Sequence, residues 1–573
     1  MSCIVAITVL TWLGPQRDDT GLAVDWIRKV SSLTKGFGND VFRDYENSEE
    51  RDKIETFEKL TPEQSAELGV PFTNTQAWDA FAAFYESPWF RRIWIVQELL
   101  PAREALVIRG NHSVDWHMVK AAAAWYVYKA FHVREELDLK YPLHGPFSAI
   151  RMNLAWNSKS GSEFHPEMFG QRVRPVVRWN FDSLLRTFHD FEASEERDKM
   201  YALFGISAWF YLDGTQELLR IDYSKPVMHV YRDAIKAHLK QNSGYQDSLN
   251  VLWHGNYQSK EPGWPSWVLD LRVKQENTGH GAPMPRLDLV GLTNSHIWRC
   301  DEDTFDDNTL LVEGMTFGSI VHHSEYQCSG DLYTNLRSQW NKFEQMYTEQ
   351  FKTDKHKASG DIYESIRTAF FMALTAGKLW SGFKNKGTSP EVYAANVVDM
   401  METFCLPHET YEEHLARMEK LKPFFELGLG SKDNAWMEWA WPKYCERRWY
   451  ITDQGYVGIG TEDLQVGDVI AILWGLNKAC ILRPVQEDQI TEGAVRKYRF
   501  IGEAYCHGAE EVVLNLVKDD GGSDTSLGQE QEREDKAKLM LHSQVGSENV
   551  AMIPTERAKG DPRRAKGTIM ALV

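Results

Sequence analysis

Residues 4–13 read Ile-Val-Ala-Ile-Thr-Val-Leu-Thr-Trp-Leu, a run with no charge and many β-branched side chains, stopped by Gly14-Pro15. No other feature constrains the fold as much. Such a run has no polar face to turn to water. It predicts a strand buried on both faces, the pattern of a parallel sheet covered by helices. It falls short of the roughly 18 apolar residues that span a bilayer, and it has no basic lead-in. A helical pattern follows, with Leu22, Val24, Trp26, Ile27 and Val30 as its apolar residues and Thr20 as a candidate N-cap. Strand followed by helix makes the opening an α/β unit.

Residues 38–75 are polar and read as loop-rich. Residues 75–100 read as helical with a break at Pro88. In the second piece Trp89, Phe90, Ile93, Trp94, Gln97 and Leu100 fall on one face. That face is expected to press its tryptophans into the sheet. Ala105–Arg109 is a short strand, turned by Gly110-Asn111, and Asp115 or Ser113 caps the next helix. Farther on, Asp198 caps a short helix that Gly205 stops, and Pro226 opens a helix to about Lys240. Thr309–Val321 reads as strand-turn-strand, and residues 333–435 as mainly amphipathic helices. From Arg448 to Val517 short strands alternate with turn residues, which predicts a small antiparallel barrel or sandwich. The chain beyond Lys518 is polar with few aromatics, and disorder is expected there. The sum is an α+β chain divided at 1–130, 131–300, 301–444, 445–517 and 518–573.

A formal net charge of −18, with no long Lys/Arg block, argues against nucleic acid and against anionic lipid surfaces as partners. No segment has the length and apolarity of a membrane span, so no membrane is expected. The seven cysteines are odd in number and scattered, which disfavours a disulfide framework and a zinc ribbon. A reducing, cytoplasmic setting fits that usage. His322-His323 are sequence neighbours whose side chains diverge, so no metal is expected. Cys506-His507 would point to opposite faces of a strand, which defeats a nucleophile–base pair. Gly455, Gly458 and Gly460 lack the Lys-Ser/Thr of a phosphate loop. No cofactor is called.

Several phrases, in order, resemble the fungal heterokaryon-incompatibility (HET) domain family. Thr11-Trp12-Leu13-Gly14 resembles the end of a family strand. Trp89-Phe90-Arg91-Arg92-Ile93-Trp94-Ile95-Val96-Gln97-Glu98 resembles its hallmark Trp/Arg/Trp/Gln-Glu helix, and Gly110 and Trp116 match the strand-turn-helix after it. Companion phrases run Glu196–Gly205 (with Arg197 and Asp198), Asp222–Pro226 and Pro265–Val268. Others run Thr452–Gly458, Gly467-Asp468, Leu482-Arg483 and Gly502–Gly508. The family strand ending Ser-Tyr-x-Trp-Gly and the later Ile-Asp-x-x-Cys-Ile-x-Gln stretch are not in this sequence, so a domain lacking its N-terminal portion is expected. The resemblance implies a partial flavodoxin- or TIR-like α/β domain, with sites at the carboxyl ends of its strands. It also implies nonself recognition and programmed cell death signalling through a protein partner or self-association, impaired if the truncation is real. Its alternatives are a TIR-like NAD-cleaving enzyme and an inactive truncated product.

Gln97 and Glu98 are the sharpest site candidates, Glu98 being the one catalytic candidate because some TIR-like relatives cleave NAD with a Glu. The competing reading is structural: Gln97 satisfies buried backbone groups and Glu98 pairs with Arg91 or Arg92. Glu196, Arg197 and Asp198 divide the same way, as a site or as a helix-entry salt bridge and cap.

Overall fold

The computed structural model describes residues 8–36, 61–157, 181–207, 220–272, 298–376, 447–513 and 568–572, less short omissions within the longer stretches. It is α+β and divides into two compact units, Met1–His238 and Leu239–Val573. The division expected at residue 130 falls inside the first unit.

In the first unit β1 (Thr8–Trp12) runs parallel to β2 (Glu104–Arg109), and β2 runs antiparallel to β3 (His112–Asp115), in the order β1-β2-β3. Register sets Thr11, Val107 and Val114 in one row across the sheet, and all three are buried. Helices Thr20–Ser32 and Trp116–Lys129 pack on each other and against this sheet. The opposite face carries Leu10 and Trp12, which are 67% and 57% exposed. The expectation of a strand buried on both faces is therefore corrected. Among the described residues β1 pairs only with β2, which makes it an edge strand with one open face. Residues 4–7 of the apolar run lie outside the described residues.

Trp78 anchors the helical layer. Its ring stacks on Trp125 at 6.1 Å and takes Trp26 and Phe81 edge-on at 5.3 and 5.5 Å, the offset and edge geometries that aromatic quadrupoles favour. Thr20 does not cap helix Thr20–Ser32. It is the first helical residue, and its hydroxyl accepts from the Arg17 N–H at 2.9 Å. Asp115 does cap helix Trp116–Lys129, accepting from the His117 N–H. Within the polar stretch expected to be loop, Pro62–Glu67 forms a helix with a capping box between Thr61 and Gln64; residues 38–60 lie outside the described residues.

In the second unit a sheet closes on itself. A two-residue strand β4 (Phe305–Asp306) pairs with β5 (Thr309–His323), and the ring strands besides β5 are β8 (Arg447–Thr452), β9 (Val457–Thr461), β10 (Val469–Leu473), β11 (Ala479–Pro484) and β12 (Arg496–Cys506). The pairings β5-β10-β11-β12-β9-β8-β5 complete a six-membered antiparallel ring. Closure leaves these strands few free edges. β13 (Thr568–Leu572) bridges β5 and β12 where they diverge, antiparallel to one and parallel to the other. The disorder expected of the tail does not extend to 568–572. This short apolar run buries Met570 and Leu572, and burial outweighs the polar stretch before it. Residues 518–567 lie outside the described residues.

Thr309–Val321 belongs to one long strand rather than two. Gly314 lets the Ile472 carbonyl approach to 2.3 Å of where a Cβ would stand, and Gly318 takes φ +94° where the β5–β10 register shifts, so both glycines serve the ladder. In the 333–435 stretch helices Leu332–Phe351 and Ile366–Leu374 flank a hairpin, β6 (Lys355–Ser359) and β7 (Ile362–Ser365). Phe343 and Phe370 pack on the buried Trp449, whose indole donates to Gln339 Oε1 at 2.9 Å. Residues 377–435 lie outside the described residues. Among the described residues no helix is long and apolar enough to cross a membrane.

Candidate functional site

The expected helix over 89–100 is three pieces: a 3-10 turn Pro88–Arg91, a backbone bridge and a short α-helix Ile95–Leu99. The bridge interrupts it. The Ile93 N–H donates to the Glu192 carbonyl at 2.9 Å, and the Glu192 N–H to the Arg91 carbonyl at 2.6 Å. That long-range pairing overrides the helical periodicity. Trp89 is buried against Trp116 at 6.0 Å, whereas Trp94 is half-buried. The Trp94 indole is drawn to another partner, donating to Asp198 Oδ2 at 3.0 Å.

Asp198 is the centre of the cluster. It is the first residue of helix Asp198–Phe204 and makes no side-chain cap, so the expectation of a capping Asp198 is corrected. Its second oxygen accepts from the Tyr223 hydroxyl at 2.8 Å. Around it the Tyr201 hydroxyl donates to the Asp222 carbonyl at 2.9 Å and accepts the Asp222 N–H at 3.1 Å. The Tyr201 and Tyr223 rings meet edge to face at 5.3 Å. Arg197 pairs with Glu195 and donates from Nε to the Lys225 carbonyl at 2.7 Å. Lys225 reaches Asp233 at 3.0 Å, and Tyr231, fully buried, donates to the Glu196 carbonyl at 2.8 Å. Gln97 donates to the Tyr201 carbonyl at 3.3 Å.

Three phrases far apart in the chain, around Trp94, Asp198 and Tyr223, thus interlock through named side chains. Gly205 belongs to the same device. Its φ is an ordinary −63°, so it is not a left-handed stop, and a Cβ there would stand 2.6 Å from the Gln97 amide nitrogen. Tyr201, Asp222 and Tyr223 lay in quoted phrases without an assigned role. Tyr231 was missed, and nothing local marks it.

The Tyr223 pKa is pushed up to about 12, first by burial and then by its hydrogen bond to, and the charge of, Asp198. Glu98 points elsewhere. It is exposed and has no hydrogen-bond partner among the described residues. Its carboxyl is raised by partial desolvation, opposed by the Arg92 charge. Arg91 pairs with Glu192 at 3.9 Å rather than with Glu98. The arrangement sets donors and acceptors against each other. It can hold three segments together.

Trp12, Leu13 and Gly14 meet Gly110 at the strand ends. The Gly110 N–H donates to the Gly14 carbonyl at 3.1 Å, and Gly110, at φ +57°, lies where a Cβ would come within 2.8 Å of the Gln16 backbone. In the barrel, Arg483 grips the buried Asp468 through Nε at 2.8 Å and Nη2 at 2.9 Å, and Lys478 and Glu503 form a buried ion pair. Among the described residues no group of three or more His, Cys, Asp or Glu side chains is placed to hold a metal ion.

Residues 425–519, which span β8 to β12, match the Het-6 beta-barrel domain family. The chain is also similar to heterokaryon incompatibility protein 6, OR allele, of Neurospora crassa, at 22% identity over 549 residues, covering 87% of this chain and 75% of that protein. No solved structure matches. The barrel match and the likeness over most of the chain together support a HET-domain protein. Within that class its C-terminal barrel is of the Het-6 kind.

Proposed function

We propose that this chain acts in fungal heterokaryon incompatibility as a cytoplasmic nonself-recognition module that signals programmed cell death through a protein partner or self-association. The observation that supports it most is the likeness over most of the chain to a heterokaryon incompatibility protein. The interlock around Asp198 agrees with a recognition role, since it is built for holding segments in place. The parallel β1–β2 pair with a following helix is what supports a partial flavodoxin- or TIR-like reading of the first unit. Induced expression in a fungal host tests the proposal: arrested growth and cell death are expected, and normal growth at confirmed protein levels overturns it. An NAD-cleaving activity is the weaker reading, because Glu98 stands outside the cluster. NAD turnover by purified protein that Glu98→Ala abolishes would reinstate it.

A further inference from the structure

We propose that the carboxyl edge of the β1–β2 pair binds the phosphate group of a small ligand through Arg17 and Arg109. Parallel strands bring their chain ends to the same side, and here the two turns touch. Gly14-Pro15-Gln16-Arg17 leaves β1, and Arg109 is the last residue of β2. The Gly110 N–H bonds the Gly14 carbonyl, and Gly110 lies flush on Gln16. Two guanidinium groups are therefore held on facing turns.

Arg109 has a buried Nε with no hydrogen-bond partner. A buried donor without an acceptor is uncommon, and one on a charged group calls for an anion. Burial disfavours the Arg109 charge, and the charge of Arg17 disfavours it further, while Asp19 favours it. The fold thus sets two like charges near each other with one donor unmet. Asp19, bonded to Arg17 at 3.2 Å, occupies one of the two forks with a carboxylate. Arg17 is half exposed, so an incoming anion can displace that carboxylate. A tetrahedral phosphate presents enough oxygens for both planar forks, which a single carboxylate does not.

Isothermal titration calorimetry of the full chain with inorganic pyrophosphate, inorganic phosphate and adenosine monophosphate tests this. Binding that weakens with salt is expected. Arg109→Gln should lose at least roughly tenfold in affinity, and Arg109→Lys, which keeps charge without the fork, should recover part of it. Asp19→Asn should bind several-fold more tightly, because the resident carboxylate no longer competes. That gain of function guards against a merely unfolded variant. Tighter binding of adenosine monophosphate than of free phosphate would identify a nucleotide as the source, and equal binding the free anion. No heat of binding to the wild type up to about 10 mM anion, or unchanged affinity in both Arg109→Gln and Asp19→Asn, overturns the proposal.

Discussion

Replacing Asp198 by alanine removes one acceptor from two donors, the Trp94 indole at 3.0 Å and the Tyr223 hydroxyl at 2.8 Å. A hydrogen bond to a charged acceptor contributes roughly 1.5–3 kcal/mol when shielded from water. Trp94 and Asp198 are half-buried and Tyr223 is 50% exposed. The lower figure therefore applies to the first bond and about half of it to the second, for a loss of about 2 kcal/mol. For a unit of this size that lowers the melting temperature by about 4–8 °C. A double-mutant cycle isolates the bond itself: Trp94→Phe and Asp198→Ala, measured singly and together by urea unfolding, should couple by about 1 kcal/mol. A second readout separates the bond from simple loss of packing. Because the folded protein keeps the Tyr223 proton that an unfolded chain releases near pH 10, the Tyr223 contribution is whole below pH 10. It falls as pH rises toward about 12. Asp198→Asn should shrink that alkaline fall. Additive single mutants, or an unchanged alkaline profile, would refute the interlock.

The two turn glycines at the strand ends make unequal demands. Gly110→Ala meets a left-handed φ and the Gln16 backbone together and should cost more than about 2 kcal/mol. Gly14→Ala, at φ +112° with open space around it, pays only for the backbone. Thermal melts check both variants, and a Gly110→Ala loss no larger than the roughly 1–2 kcal/mol of a left-handed residue alone would show that the Gln16 contact contributes nothing. In the barrel, Lys478→Met strands a buried Glu503 and should destabilise by about 3–5 kcal/mol, while Lys478→Met with Glu503→Leu should regain most of that. Urea midpoints of the single and double variants decide it, and a single variant as stable as the wild type would refute it.

What was legible in the sequence was what neighbouring residues encode. The α+β character, the barrel strands and a cap at Ser113 or Asp115 rest on periodicity, turn residues and capping, all written within about ten residues. What was illegible depends on distant partners. The run ending at Leu13 has the composition of a central strand, yet composition says nothing of how many neighbours a strand receives, and Leu10 and Trp12 are left exposed. The 89–100 stretch has helical spacing, but a bridge to Glu192, about a hundred residues away, is stronger than that local preference. Asp198 has the look of a cap and serves instead as acceptor for a tryptophan 104 residues earlier.

Trp94, Gln97, Arg197, Asp198 and Tyr223 all place a side chain on another segment, and so do Asp468 and Arg483 in the barrel. A side chain that bonds across segments is constrained by geometry at both ends, and each substitution leaves a partner unsatisfied. A surface residue meets no such constraint. Glu98, which shares the hallmark phrase, makes no such cross-segment bond among the described residues. Structural interlocking does not account for its place there, which makes Glu98→Ala the informative substitution in the growth assay: a variant that folds normally but no longer arrests growth would assign Glu98 to contact with a partner or ligand.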